Sequence, residues 1–227
     1  METTKKSSRK SVTSTETFST AEKIESAYKH YLLTEGKQPA SVYKFCIDLG
    51  IKETDFYSMF GSFDAIDKQL WKAFIDKTIA RLRSDESFAS FSVREKILTF
   101  YYALFEELKA NRSYVLFHLH PFKKLELTPS YLKEFKKSFE LFFENVLNEG
   151  KGNGEVAQRP FLDKRYPKLF WLHMGFILLF WKEDNSTDFE KTDAAIEKSV
   201  TLAFDLVGKG ALDSAIDFAK FMYQSKP

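Results

Sequence analysis

The 227 residues are 44% hydrophobic and carry a formal net charge of +2. That is apolar mass enough for a sizeable core, and a charge balance that by itself points to no acidic partner. The single cysteine, Cys46, excludes an internal disulfide, and the longest apolar run, residues 169–181, falls short of the roughly 20 residues a membrane span needs.

Residues 1–17 are rich in Ser and Thr and hold Lys5, Lys6, Arg9 and Lys10 without an apolar stretch. They are expected to be a disordered tail and not a secretory signal, so a cytoplasmic protein without an integral membrane segment is the default. Ser19 and Glu22 form a capping box ahead of Ile24, Ala27, Tyr28, Tyr31 and Leu32, which recur at helical spacing until Gly36 and Pro39. Ser41 opens a short helix closed by Gly50. Residues 52–60 form another, closed by Gly61, and residues 64–83 a longer one. The polar stretch 84–91 is read as a domain boundary.

Ser92 and Glu95 cap the next helix, whose stripe is Val93, Ile97, Phe100, Tyr101, Leu104 and Leu108. Residues 112–118 form a short helix ended by Pro121. Thr128 and Pro129 open the following one, with proline at its first position, and its stripe is Leu132, Phe135, Phe139, Phe142 and Val146. Gly150 to Gly154 is expected to be a flexible loop. Residues 163–181 read as a helix apolar nearly all round, and Thr187 with Glu190 as the cap of another carrying Phe189, Ile196, Val200, Phe204 and Val207. An amphipathic helix over 211–223 comes last. No segment alternates with period two between turn signals, so the fold class is all-α. The domains expected are the tail 1–17, a three-helix helix-turn-helix unit with its linker helix over 18–83, and a larger helical bundle over 84–227.

Two short helices around a glycine turn are the minimum of a helix-turn-helix. Val42, Phe45, Leu49, Ile51 and Phe56 supply its buried side, Cys46 the close approach, and Gly50 the turn. The register of Gly36, Ser41, Phe45-Cys46, Gly50-Ile51, Tyr57 and Phe60, continued by GSFDAI, resembles the DNA-binding domain of TetR-family regulators. The resemblance implies a homodimer that binds double-stranded DNA and responds to a small molecule. It places Lys52 and Tyr57 near phosphates and Thr54 and Ser58 near base edges, with Ser41 and Lys44 in the same contact set. Three positions depart from the family pattern. Phe63 stands where a phosphate-approaching Lys is usual, and Glu53 and Asp55 put carboxylates on the recognition helix. The architecture is also similar to that of the TetR-like lipid-binding protein of ubiquinone biosynthesis, which has lost DNA recognition and ends in an amphipathic helix.

Aromatics make up 16% of the chain, 24 of them Phe, a surplus that suits an apolar cavity or thick helix packing. Phe100, Tyr101, Phe105, Phe135, Phe139, Trp171 and Phe176 are the candidate lining of a pocket for an apolar small molecule or lipid. The helices over 163–181 and 187–207 are the candidate dimer face. His118 and His120 are two apart, a spacing that does not share a helix face, so no metal site is expected. No phosphate loop, nucleophile elbow or acid–base pair is present, and neither a cofactor nor an enzymatic activity is expected. The reading is a dimeric DNA-binding regulator; the alternative is a lipid-binding protein with a vestigial DNA-binding domain.

Overall fold

The computed structural model describes residues 20–119, 129–159, 162–208 and 210, with positions 218, 221, 222 and 224. The tail 1–17, the Ser19 cap, Pro121, Thr128 and most of the expected last helix lie outside them. Nine α-helices run in order among the described residues: α1 Thr20–Glu35, α2 Val42–Leu49, α3 Glu53–Met59, α4 Phe63–Ser84, α5 Val93–Ala110, α6 Arg112–Leu119, α7 Lys133–Asn153, α8 Tyr166–Glu183 and α9 Glu190–Val207. There is no strand among them, and no described helix is long and apolar enough to cross a membrane.

Serine side chains cap three of the helices, at Ser41 and Ser92 as expected and at Ser62 in addition. Ser41 and Ser62 accept the N–H groups of Lys44 and Ala65, both at 3.2 Å. Ser92 and Glu95 complete the capping box of α5, Ser92 N donating to Glu95 at 2.8 Å. The break at 84–91 is a 3₁₀ turn, Glu86–Ser90, with Phe88 buried. The buried cluster continues across it, because α4 packs on α5 and α7 as well as on α1. The long helix therefore belongs to both units.

Four expectations need correction. Gly150 lies inside α7 and is buried, and only Gly154, with φ 86°, ends the helix. The missing side chain at Gly150 is filled by Val93 and Val156, whose Cγ2 atoms would lie 2.7 and 2.6 Å from a Cβ there. Glycine is thus a packing requirement, and its low helix propensity is overridden by that contact. Pro129 does not occupy the first position of α7; it precedes a 3₁₀ turn, Ser130–Leu132, and α7 begins at Lys133. The helix expected from 163 begins as a 3₁₀ turn, Asp163–Arg165, and becomes α-helical at Tyr166, with Pro167 in its first turn.

Thr187 does not cap α9 either. Asp184 does that work: it accepts the N–H and hydroxyl of Ser186 at 2.8 and 2.6 Å, and those of Thr192 at 2.9 and 2.6 Å. Burial opposes the charge of Asp184, but these four donors outweigh it and hold the carboxyl well below the usual carboxylate range. Between α8 and α9, Asp188 and Phe189 adopt left-handed backbone, with φ 55° and 65°. Arg112 braces this strained pair: its guanidinium lies 4.3 Å from the rings of both Trp181 and Phe189 and donates to the carbonyl of Trp181 at 3.2 Å.

Candidate nucleic-acid interface

The helix-turn-helix is built on stacked aromatics. Phe63 lies parallel to Tyr28, with centroids 5.2 Å apart, and meets Phe45 and Phe56 edge-on at 5.4 and 5.6 Å. Ile24, Leu32 and Cys46 close the small core around them. Gly50 ends α2 with φ 72°, and its N–H and that of Ile51 return to Ile47 and Cys46 at 3.1 and 3.0 Å. Burial, reinforced by the charges of Glu53 and Asp55, pushes the Cys46 thiol up, which suits a small hydrophobe and not a nucleophile.

All six residues expected to contact DNA are exposed: Ser41, Lys44, Lys52, Thr54, Tyr57 and Ser58. Tyr57 presents 53% of its surface although its ring meets Phe56 edge-on at 5.4 Å. Two of the four hydroxyls among these residues have local duties. Ser41 caps α2, and Ser58 donates to the Asp55 carbonyl at 2.8 Å. Lys44, Lys52, Thr54 and Tyr57 carry no such bond among those described.

The departures from the family pattern now have physical content. Phe63 is only 8% exposed, so the position that would face a phosphate has been drawn into the core. The Asp55 carboxylate accepts the Lys52 N–H at 3.2 Å and so caps the recognition helix. Exposed Tyr43 and Ile47 add apolar surface to α2. Exposed Lys37, Lys44 and Lys52 stand against exposed Asp48 and Asp55 and half-buried Glu53, a face close to neutral.

In the large unit, six of the seven pocket candidates come together. Phe100, Tyr101, Phe105, Phe135, Phe139 and Trp171 are each at most 6% exposed. Phe100, Phe139 and Trp171 form a ladder, with centroids 5.7 and 5.5 Å apart, and Phe135 lies 6.0 Å from Trp171. These rings fill space between α5, α7 and α8 by touching one another. Phe176 is not among them. It is 51% exposed and lies with Leu169, Leu172 and Phe180 on the outer face of α8. The all-round apolar character of that helix is therefore two faces: one faces the core and the other is uncovered.

His173, on α8, lies in a polar network that no sequence pattern marked. Tyr101 Oη lies 2.6 Å from His173 Nδ1, and His173 Nε2 lies 2.7 Å from Ser199 Oγ. A serine beside a histidine resembles a nucleophile with its base, but the polarity is reversed. Ser199 donates to the Ala195 carbonyl at 2.5 Å, so it accepts from Nε2, and Nδ1 accepts from the tyrosine. Burial lowers the His173 pKa to about 4.

These helices match a family model described as Tetracyclin repressor-like, C-terminal domain, over residues 96–222, more than half of the chain. The chain belongs to the TetR family. Solved structures agree in fold. A protein assigned to the TetR-family transcriptional regulators from Syntrophomonas wolfei str. Goettingen superposes with a TM-score of 0.67 at 16% identity, covering 84% of this chain and 97% of its own. A bacterial regulatory protein in the TetR family from Rhodococcus RHA1 gives 0.55 at 15% identity, covering 86% and 100%. At such identities the likeness is one of fold. No curated protein matches the sequence.

Proposed function

We propose that this TetR-family protein is a homodimeric, DNA-binding transcriptional regulator that responds to an apolar small molecule. The observation that carries the reading is the pairing of a complete helix-turn-helix, with Lys44, Lys52, Thr54 and Tyr57 exposed on it, with an uncovered apolar face elsewhere. That face comprises Leu169, Leu172, Phe176 and Phe180 on α8 and Leu202 and Leu206 on α9. Such a patch on two packed helices fits a two-fold interface, which would set two recognition helices at a fixed spacing. Two half-sites about one helical turn apart, or a multiple of it, are the matching DNA geometry.

The aromatic cluster supports the ligand arm in a particular form. Because the rings fill one another's space, an apolar ligand would enter by displacing side chains of α5, α7 and α8. The open cleft of about 770 Å³ beside α7 and α8 is lined mostly by polar and charged side chains, Glu140, Glu144, Lys151 and Lys168 among them, and does not suit an apolar ligand.

Selection of genomic fragments with the full chain near 0.15 M salt tests the reading. Enrichment of a site with two-fold symmetry, protected from cleavage over both halves, is expected. Absence of any enriched site, with vesicle binding that requires residues 211–223, would overturn it in favour of the lipid-binding alternative. Native mass spectrometry of the purified protein tests the ligand arm: a retained apolar molecule is expected.

A further inference from the structure

The corner between α5 and α6 gathers contacts from three other parts of the chain. Asn111 alone separates the two helices. Its side-chain oxygen accepts the Lys29 ammonium of α1 at 2.6 Å, and its amide donates to the Glu107 carbonyl at 3.0 Å. On the α5 side, Lys109 pairs with Asp188 and lies 5.7 Å from the Phe189 ring. On the α6 side, Arg112 covers the rings of Trp181 and Phe189 and donates to the carbonyls of Trp181, Lys182 and Asp184 at 3.2, 3.4 and 3.4 Å. Two residues further on, Tyr114 donates to Oδ1 of Asp67 in α4 at 2.7 Å. Oδ2 of that carboxylate, which is 5% exposed, accepts the Tyr28 hydroxyl of α1 at 2.9 Å.

These ties differ in weight. Lys109 and Asp188 are both exposed, and a surface pair of that kind adds little. Arg112 does more, because it supplies donors to carbonyls at the C-terminus of α8 that have none within the helix. It also covers Phe189, one of the two residues held in left-handed backbone, a conformation that persists only while its neighbours enforce it. The Tyr114 hydroxyl is buried, so its loss would leave an oxygen of Asp67 short of a donor. Phe180, beside Trp181, belongs to the uncovered apolar face of α8. The same turn of α8 thus carries part of the expected dimer face and the Arg112 contacts.

We propose that this corner is a coupling device, in which Arg112 and Tyr114 are positioning residues that tie the turn between α8 and α9 to the helix-turn-helix. Both side chains leave the first turn of one helix, α6, which also packs on α1. A shift of the α8–α9 turn must therefore carry Tyr114 against Asp67 or break the Arg112 contacts. Coupling of this kind is reciprocal: a change at Tyr114 is felt at the turn as a change at the turn is felt in α1. The consequence for DNA rests on the regulator reading above. Pairing of two copies through α8 and α9 would set the angle of the recognition helix through this corner.

Amide hydrogen exchange on the full chain tests the coupling. Tyr114→Phe removes one hydroxyl and keeps the ring. It is expected to speed exchange in α1, and at residues 184–189 as well, by about fivefold, the weight of one hydrogen bond, and to leave α7 unchanged. Arg112→Lys keeps the charge and loses the planar fork, and is expected to speed the same two regions. In the Tyr114→Phe background, Arg112→Lys is expected to have no further effect on α1. Exchange that rises only beside each substitution, or a further rise of equal size in the double variant, overturns the coupling. So does acceleration that includes α7, which is ordinary loss of stability. Should Arg112→Lys fail to fold, the response of residues 184–189 to Tyr114→Phe decides alone. On a selected operator, Arg112→Lys is expected to weaken binding several-fold with the dimer mass unchanged in light scattering; unchanged affinity overturns the functional role. The exchange test needs no DNA, so coupled exchange in a protein that selects no operator refutes the regulator reading and leaves the coupling in place.

Discussion

Two single residues carry sharp consequences. Gly150 is held in a helix by what a side chain would strike, Val93 and Val156, both fully buried. Gly150→Ala should destabilise the fold by about 1–3 kcal/mol, the usual range for overpacking, although alanine is the better helix former. Denaturant unfolding measures this, and Val156→Ala in the same chain should recover part of the loss; a neutral or stabilising Gly150→Ala would contradict the packing account. His173 works through protonation. Its folded pKa of about 4 lies below the ordinary 6.5, so the unfolded chain binds the extra proton first as the pH falls. Stability should drop as the pH goes from about 6.5 toward 4, by about 3 kcal/mol at most from this group, and level off below. His173→Gln should remove that share of the slope in thermal melts run across the window. Equal slopes in both proteins would show that burial does not hold the ring neutral.

Helix by helix, the sequence announced itself where termini were marked by local chemistry. Ser41 and Gly50 of α2, Ser62 of α4, and Ser92 with Glu95 of α5 did what their side chains and φ freedom dictate. The misreadings arose where partners distant in sequence decided the outcome. Gly150 answers to Val93, and the cap of α9 is a carboxylate that precedes the strained turn and reaches forward eight residues to Thr192. Periodicity likewise could not divide α8 into a buried face, with Phe170, Met174 and Ile177, and an open one, with Leu172, Phe176 and Phe180, because both faces are equally apolar. That open face yields the prediction at this scale. Phe176→Glu or Leu202→Glu places a charge in the centre of the expected interface and should convert a dimer into a folded monomer at micromolar concentration. Light scattering gives the mass and circular dichroism the helix content. A monomeric unmutated protein, or variants that stay dimeric, would remove α8 and α9 from the interface.

For the whole molecule the question is what would supply the affinity of the proposed DNA contact. The candidate contacts were legible because the helix-turn-helix spacing is local and its exposed positions follow from the buried ones. The Asp67 cluster was not legible, because Tyr28, Asp67 and Tyr114 are separated by 39 and 47 residues and only the fold brings them together. With Phe63 in the core and the recognition face near neutral, the proposed phosphate contacts would be drawn from Lys37, Lys44, Lys52 and the cations Lys5, Lys6, Arg9 and Lys10. Each phosphate neutralised adds about 0.9 to the magnitude of the salt slope on duplex DNA. Deleting residues 1–17 should therefore weaken operator binding and flatten the slope by roughly 1 to 3. Thr54→Ala should change base preference and leave the slope alone. For the acidic side, Asp48 is the cleaner probe than Asp55. Asp55 also caps α3, so its replacement mixes a lost charge with a weakened helix start, whereas Asp48 is exposed on α2 with no bond described. Asp48→Asn should strengthen binding a few-fold at low salt and by less as salt rises, since screening removes the same repulsion. Fluorescence anisotropy over a salt series reads all three. If tail deletion leaves the slope unchanged while Asp48→Asn has no effect at any salt, charge on this face does not govern binding, and the exposed Tyr43, Ile47 and Tyr57 become the surface to test for a partner other than DNA.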